Sequence, residues 1–313
     1  MKRSVLSIMA AATCFGGAEE FNGRWNLKAA NEPRNRAWWL EVTGAGTSAM
    51  KGRFVGAPGG QLDEIPSIRI EGGELVWIFE RGYEPGKPKG KGIYRARLSG
   101  GRLQGTFDVE GNPARHLTFT GKRAPVLKDR DDGKWKSGTP VELFDGRSLN
   151  GWASRLPGGP LQWRVEDGLL KNNDKAADIV SSASFWNFRL HVEYRVGPKS
   201  NSGIGLRGRY EVQIYEDYGR APDGHTNGSV YSRIVPSVNA SKPAGEWQTF
   251  DITIIGRTAT VILNGKTIID RKEVEGLTAM ANDPDEDKPG PISLQGDHGP
   301  VEFRKITVTP LVR

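Results

Sequence analysis

The stretch NSGIGLRGRYEVQIYED, Asn201 to Asp217, decides how the fold is read. Alternation along two short strands turns Ile204, Leu206, Val212 and Ile214 inward and sets Gly203, Gly205, Arg207, Glu211, Gln213 and Tyr215 on the other face. That outer face reads as a binding floor. Glycine weakens a strand and packs nothing, so two of them beside an Arg suggest that something approaches the sheet closely. Relief of crowding, or a bulge, is the competing explanation.

On either side of this stretch every clear element is again a strand. Phe188, Leu190, Val192, Tyr194 and Val196 alternate with Arg189, His191, Glu193 and Arg195, giving one buried and one polar face. Asn264-Gly265 between two β-rich runs signals a two-residue hairpin, because both turn positions need positive φ. These signs predict an all-β chain whose C-terminal part, residues 141–313, is a jelly-roll sandwich with a concave site on one sheet.

From Phe21 to Arg123 short strand-like runs are separated by glycine turns such as Gly72-Gly73 and Gly100-Gly101, with about ten residues between turn signals. Residues 19–123 are therefore expected to form a small β-barrel or sandwich of their own, and the pattern is similar to lipocalin-like modules. Trp38, Trp39, Trp77 and Tyr94 are candidates for stacking on a sugar ring, against the commoner use of such aromatics as core. Residues 124–140, polar and punctuated by Pro and Gly, read as a linker.

A length of 313 residues suits two domains or one large all-β domain, and 41 Gly with 19 Pro favour turns and strands over helices. Residues 2–18 carry two basic residues, an apolar run from Val5 to Phe15 and then small residues, which is the pattern of a signal peptide ending near Ala18. A secreted or periplasmic protein is expected. Cys14 is the only cysteine, so the mature chain would have no thiol and no disulfide; Thr13 is a poor residue before a lipid-modified cysteine. The formal charge of +7 is spread among acidic residues, which favours a mixed surface over a nucleic-acid partner. No other stretch is long and apolar enough for a membrane-spanning helix.

The pieces LFDGRSLNGW, WRVEDGLL, FRLHVEYRV, NSGIGLRG, YEVQIYED, KPAGEWQTFDI, VILNG and GPISLQGDHGPVEFRKI stand in this order. Over about residues 141–311 they resemble the DUF1080 family of 3-keto-disaccharide hydrolase domains, which has the concanavalin A-like lectin/glucanase sandwich. The resemblance implies cleavage of glycosides already oxidised to a ketone at C3. A 3-keto group acidifies the C2 proton, so a base removes it, the C1 substituent leaves by elimination, and water adds back. Such a path needs a base, donors or a cation for the oxyanion, and an acid for the leaving oxygen, but no serine or cysteine nucleophile and no cofactor.

Glu211 is the expected base or acid, with Arg207 holding the substrate or its oxyanion. Glu211 and Asp217 share a strand face and, with Gln213 between them, echo the carboxylate-bearing strand of glucanases with this sandwich. Gln213 stands where those enzymes carry an acid, which argues against retaining hydrolysis through two close carboxylates. Gln295 is expected outward, with Asp297 and His298 in the turn beyond it; His298 is a candidate proton shuttle tuned by Asp297, or a surface turn residue. Asn201, Ser202, Tyr215, Tyr231 and Glu193 complete the candidate substrate contacts. His191 beside Glu193 is better explained by a sheet-surface ion pair. His225 lies in the loop Gly219–Ser229, expected as a rim.

Asp283, Asp285, Glu286 and Asp287 crowd one loop, where a calcium ion would be sought, but without a recognised ligand spacing. A solvated acidic loop is the favoured reading there. A sugar-binding module without catalysis is the alternative function, because the same sandwich serves lectins.

Overall fold

The computed structural model describes residues 17–313 apart from 57–59, 84–85, 87 and 174. The apolar N-terminal run and Cys14 lie outside the described residues. Strands β1 (Gly23–Ala29), β2 (Ala37–Thr43), β3 (Lys51–Val55), β4 (Asp63–Glu64), β5 (Ser67–Glu71), β6 (Glu74–Arg81), β7 (Gly90–Ser99), β8 (Arg102–Val109) and β9 (Asn112–Arg123) form one antiparallel meander. Its order is β4-β3-β2-β1-β9-β8-β7-β6-β5. Phe54 of β3 stacks on Phe79 of β6 at 5.9 Å, although these strands are far apart in that order. The sheet is therefore curled until its two ends face each other.

Aromatic rings fill the curl. Trp77 and Tyr94 stack at 5.0 Å and Trp38 meets Tyr94 edge-on at 6.0 Å, with all three buried. These residues are core, as the commoner reading had it. Trp39, one residue on, points to the opposite side of β2, where it packs with Ala37, Val55, Leu277 and Ala281. This small cluster joins the curled sheet to the C-terminal sandwich.

In the sandwich a five-stranded sheet runs Trp152–Ser154, Ile179–Phe185, Gly290–Leu294, Asn201–Leu206, Tyr210–Tyr215 in hydrogen-bonded order. The facing sheet is centred on Phe188–Val196, between Val301–Val312 and Gln248–Ile255. Ile204, Leu206, Val212 and Ile214 are fully buried in one core with Leu190, Val192, Phe250 and Ile252, so the expected register holds. Asn264 and Gly265 take φ of 52° and 78° between the paired residues Leu263 and Lys266, which is the predicted hairpin.

The polar segment 124–140 is laid along the sandwich. Asp129 accepts hydrogen bonds from Trp186 Nε1 and Asn187 Nδ2, both at 2.7 Å, and Lys136–Ser137 pairs with Leu311 and Val312.

The acidic run is not a solvated loop. Glu286 is completely buried, with an ion pair to Arg257 at 2.7 Å and hydrogen bonds from Asn26 Nδ2 at 2.6 Å and Tyr210 Oη at 2.7 Å. Lys122 of β9 bonds Asp285 at 2.7 Å, and Arg209 bonds Asp283 at 2.8 Å. Burial of an unpaired carboxylate is costly, so the cations of both units converge on this run and make it a clasp between them. Among the described residues no group of three or more His, Cys, Asp or Glu is placed to hold a metal, and no helix is long and apolar enough to cross a membrane.

Candidate functional site

Pairing across the five-stranded sheet sets the site out in rows. Gly203 lies opposite Gln213, and Gln295 donates its backbone N–H to the Gly203 carbonyl at 2.9 Å; Gly205 lies between Glu211 and Ser293. Two glycines thus form a trough in Asn201–Leu206, flanked by polar side chains on both neighbouring strands. A Cβ on Gly203 would stand 2.6 Å from Glu211 Oε1 and 3.1 Å from Met280 Sδ. What approaches the sheet closely at Gly203 is therefore the Glu211 carboxylate itself. At Gly205 it is Ser293, and the trough is closed there by Gly208 and Asn282.

Glu211 is 2% exposed. Its N–H bonds to Thr278 Oγ1 and its carbonyl accepts from Tyr231, but among the described residues no hydrogen bond reaches its carboxylate. Burial raises its pKa from 4.5 to about 8, while the Arg36 charge nearby acts in the opposite sense. Desolvation dominates because no donor offsets it. Tyr231 stands beside Glu211, edge-on to the exposed ring of His225 at 4.9 Å, and burial together with the Glu211 charge pushes its phenol up to about 12.

The turn carrying Asp297 and His298 is pinned from outside. Asn172 Nδ2 bonds the carbonyls of Gly296 and Gly299 at 2.8 and 2.9 Å, and Asp178 Oδ1 accepts the Gly296 N–H at 3.1 Å. A Cβ on Gly296 would lie 2.5 Å from the Ala176 carbonyl, so only glycine passes there. His298 Nδ1 and Asp297 share a short hydrogen bond. It raises the imidazole above 6.5; at Asp297 burial is the largest single effect and raises the carboxyl, but this hydrogen bond and the charges of His298, Arg36 and Arg34 together lower it. Both residues lie in the electrostatic field of Glu211.

The cation facing Glu211 is Arg36, from the loop before β2, and not Arg207. Arg36 is 8% exposed, lies 3.6 Å from Asp178, and leaves Nε and Nη2 without hydrogen-bond partners. Arg207 has a φ of 54° in the turn after Leu206, so strand alternation has already ended there. Its guanidinium bonds the Trp186 carbonyl and Asn187 Oδ1 and lies 4.2 Å over the Trp186 ring, fully buried away from Glu211. Arg207 is a packing residue.

Three further candidates move out of the site. Ser202 is on the inward face with Ile204, and its hydroxyl bonds the Gln295 carbonyl at 2.8 Å. Asp217 lies beyond the strand, where its carboxylate accepts from Asn227 N–H at 2.9 Å and Ser241 Oγ at 2.7 Å and so holds the rim loop in place. Glu193 is on the other sheet, paired with Arg304 and His191, while His191 also bonds Asp251 at 2.8 Å; this is the surface ion pair. Asn201 and Tyr215 stay at the open end of the trough, opposite each other, and Asn201 accepts from Gln213 Nε2 at 3.2 Å.

Gln213 Oε1 and Gln295 Oε1 are buried without partners, on either side of Gly203. Buried amide oxygens are rarely left unpaired, and these two are suited to N–H or O–H donors of a bound ligand. The site therefore combines a carboxyl of unusually high pKa, a guanidinium paired with Asp178 but with its Nε unbonded, a His–Asp pair and two free acceptors. Sequence reading missed Arg36 and Asp178; an Arg in a turn of a separate unit gives no local signal.

Residues 139–309 match the family model described as the 3-keto-alpha-glucoside-1,2-lyase-like domain. A 3-keto-disaccharide hydrolase of Bacteroides thetaiotaomicron is 24% identical over 169 residues, which are 42% of this chain and 57% of that protein. The match thus spans a little over half of that relative's length. Two proteins of Parabacteroides distasonis, solved as candidate glycosyl hydrolases, align over 56% and 55% of this chain and all of theirs. Their identities are 20% and 24%, with TM-scores of 0.47 and 0.45.

Proposed function

The chain belongs to the 3-keto-alpha-glucoside-1,2-lyase-like domain family, and from that premise we propose that it cleaves 3-keto-glycosides by elimination across C1–C2 followed by hydration. The observation that carries the proposal is the Glu211 carboxylate, buried over Gly203 without a hydrogen bond and with its pKa raised to about 8. A carboxylate of that basicity is matched to removing a proton α to a ketone near neutral pH.

Glu211 takes the C2 proton as the C2–H electron pair moves toward C3 and charge develops on the ketone oxygen. Arg36, whose Nε has no hydrogen-bond partner and whose Nη2 lies 3.6 Å from Asp178, is the cation for that oxyanion. The ketone re-forms as the C1–O bond breaks, leaving a C1=C2 double bond, and the departing oxygen takes a proton from His298, which Asp297 keeps protonated. Water then adds with its oxygen to C1 and a proton to C2, giving the free 3-keto sugar. Gln213 and Gln295 accept hydrogen bonds from ring hydroxyls. The N-terminal apolar run supports action outside the cytoplasm.

A panel of 3-keto-glucosides and their unoxidised parents tests this reading. Release of 3-keto-glucose is expected from the former and no sugar release from the latter, whose C2 proton lacks the activating ketone. Binding of both sets without release from either would overturn the enzyme in favour of a sugar-binding module.

A further inference from the structure

The mouth of the curled sheet holds a cavity of about 700 Å³ whose wall includes Arg36 and Ala279. Both residues connect it to Glu211. Arg36 acts on the Glu211 carboxyl by charge, and Met280, next to Ala279, packs with that carboxyl over Gly203. Trp38 and Phe107 form an apolar floor, meeting edge-on at 6.4 Å, and the buried Trp38 Nε1–H has no acceptor. Leu117 lines the same wall. The rim is cationic: Arg34 and Arg115 are exposed and in no ion pair among the described residues, while the Glu32 carboxylate is engaged by the Arg36 N–H at 2.8 Å. A cavity of this size suits a ring-bearing small molecule.

We propose that this cavity is the leaving-group subsite, and that it takes an aromatic aglycone bearing an anionic substituent. The inference rests on the elimination reading for where the sugar lies, but not for the cavity's own chemistry. With the sugar against the Glu211 carboxyl, the C1 substituent passes Arg36, its ring lies on Trp38 and Phe107, and its anionic group meets Arg34 and Arg115. The curled sheet then sets substrate choice while the sandwich supplies the proton transfers.

The test compares kcat/KM for 4-carboxybenzyl, benzyl and methyl 3-keto-glucosides, with calorimetric binding of 4-hydroxybenzoate measured separately. The carboxybenzyl substrate should be preferred over methyl, Leu117→Trp should cut that ratio roughly tenfold, and Arg115→Ala should cut only the carboxybenzyl-to-benzyl ratio. Melting curves check that both variants are folded. 4-Hydroxybenzoate should bind to the wild type and lose affinity in both variants. Turnover without aglycone preference, together with no binding of 4-hydroxybenzoate, would overturn the subsite and leave the elimination reading standing. Binding that both variants weaken, with no turnover of any 3-keto-glucoside, would support the cavity and sink the elimination.

Discussion

Glu211→Gln is expected to lower kcat/KM for a 3-keto-glucoside by about 10²–10⁴-fold while making the protein more stable at alkaline pH. Both effects have one cause. The carboxyl titrates near 8 in the folded chain and near 4.5 when solvated, so over that window the folded state holds a proton that the unfolded state has lost. Stability therefore falls as pH rises from 4.5 to 8, by on the order of 3 to 5 kcal/mol for this group. Gln removes the titration, so the two proteins should melt alike below pH 4.5 and diverge, with the variant higher, up to pH 8. Wild-type kcat/KM should climb as Glu211 ionises and decline where His298 loses its proton. An inactive variant whose stability advantage over the wild type is no greater at pH 8 than at pH 4 would show that Glu211 is not held neutral by burial.

Glu286→Ala is expected to destabilise the whole chain by roughly 3–5 kcal/mol, because it strands the buried Arg257 guanidinium and the Asn26 and Tyr210 donors in one step. In a chain of this size that is a melting-temperature loss of about 5 to 8 °C. With Arg257→Met already present the same substitution should cost less, since one charge no longer lacks its partner. Thermal melts of the single and double variants measure this. An effect below about 1 kcal/mol would mean that water replaces the clasp.

The alternation around Asn201–Asp217 was legible because a half-buried strand must obey a period of two, and it placed Glu211, Gln213 and Gln295 correctly. It failed at Arg207, where the chain enters a left-handed turn and the period stops; Ser202 obeys it, facing inward with Ile204, and its choice as a substrate contact went against the alternation. Asp217 was read past the strand's end. Glu193 obeys the alternation on its own strand, but sequence gives no sign of which sheet that strand joins. The aromatic run of the first unit was legible as core. Its contribution to the site was not: Arg36 reaches Glu211 only because Trp39, Ala37 and the acidic run dock one unit on the other, and such long-range contacts leave no periodic trace.

The most direct test of a C2 proton abstraction by Glu211 is turnover of a 3-keto-glucoside in deuterated water, with an enzyme-free control. Elimination and rehydration predict that the released 3-keto-glucose carries deuterium at C2, and that Glu211→Gln releases almost none. Product that retains protium at C2, formed also by the Glu211→Gln variant, would contradict the account and point to direct cleavage of the glycosidic bond.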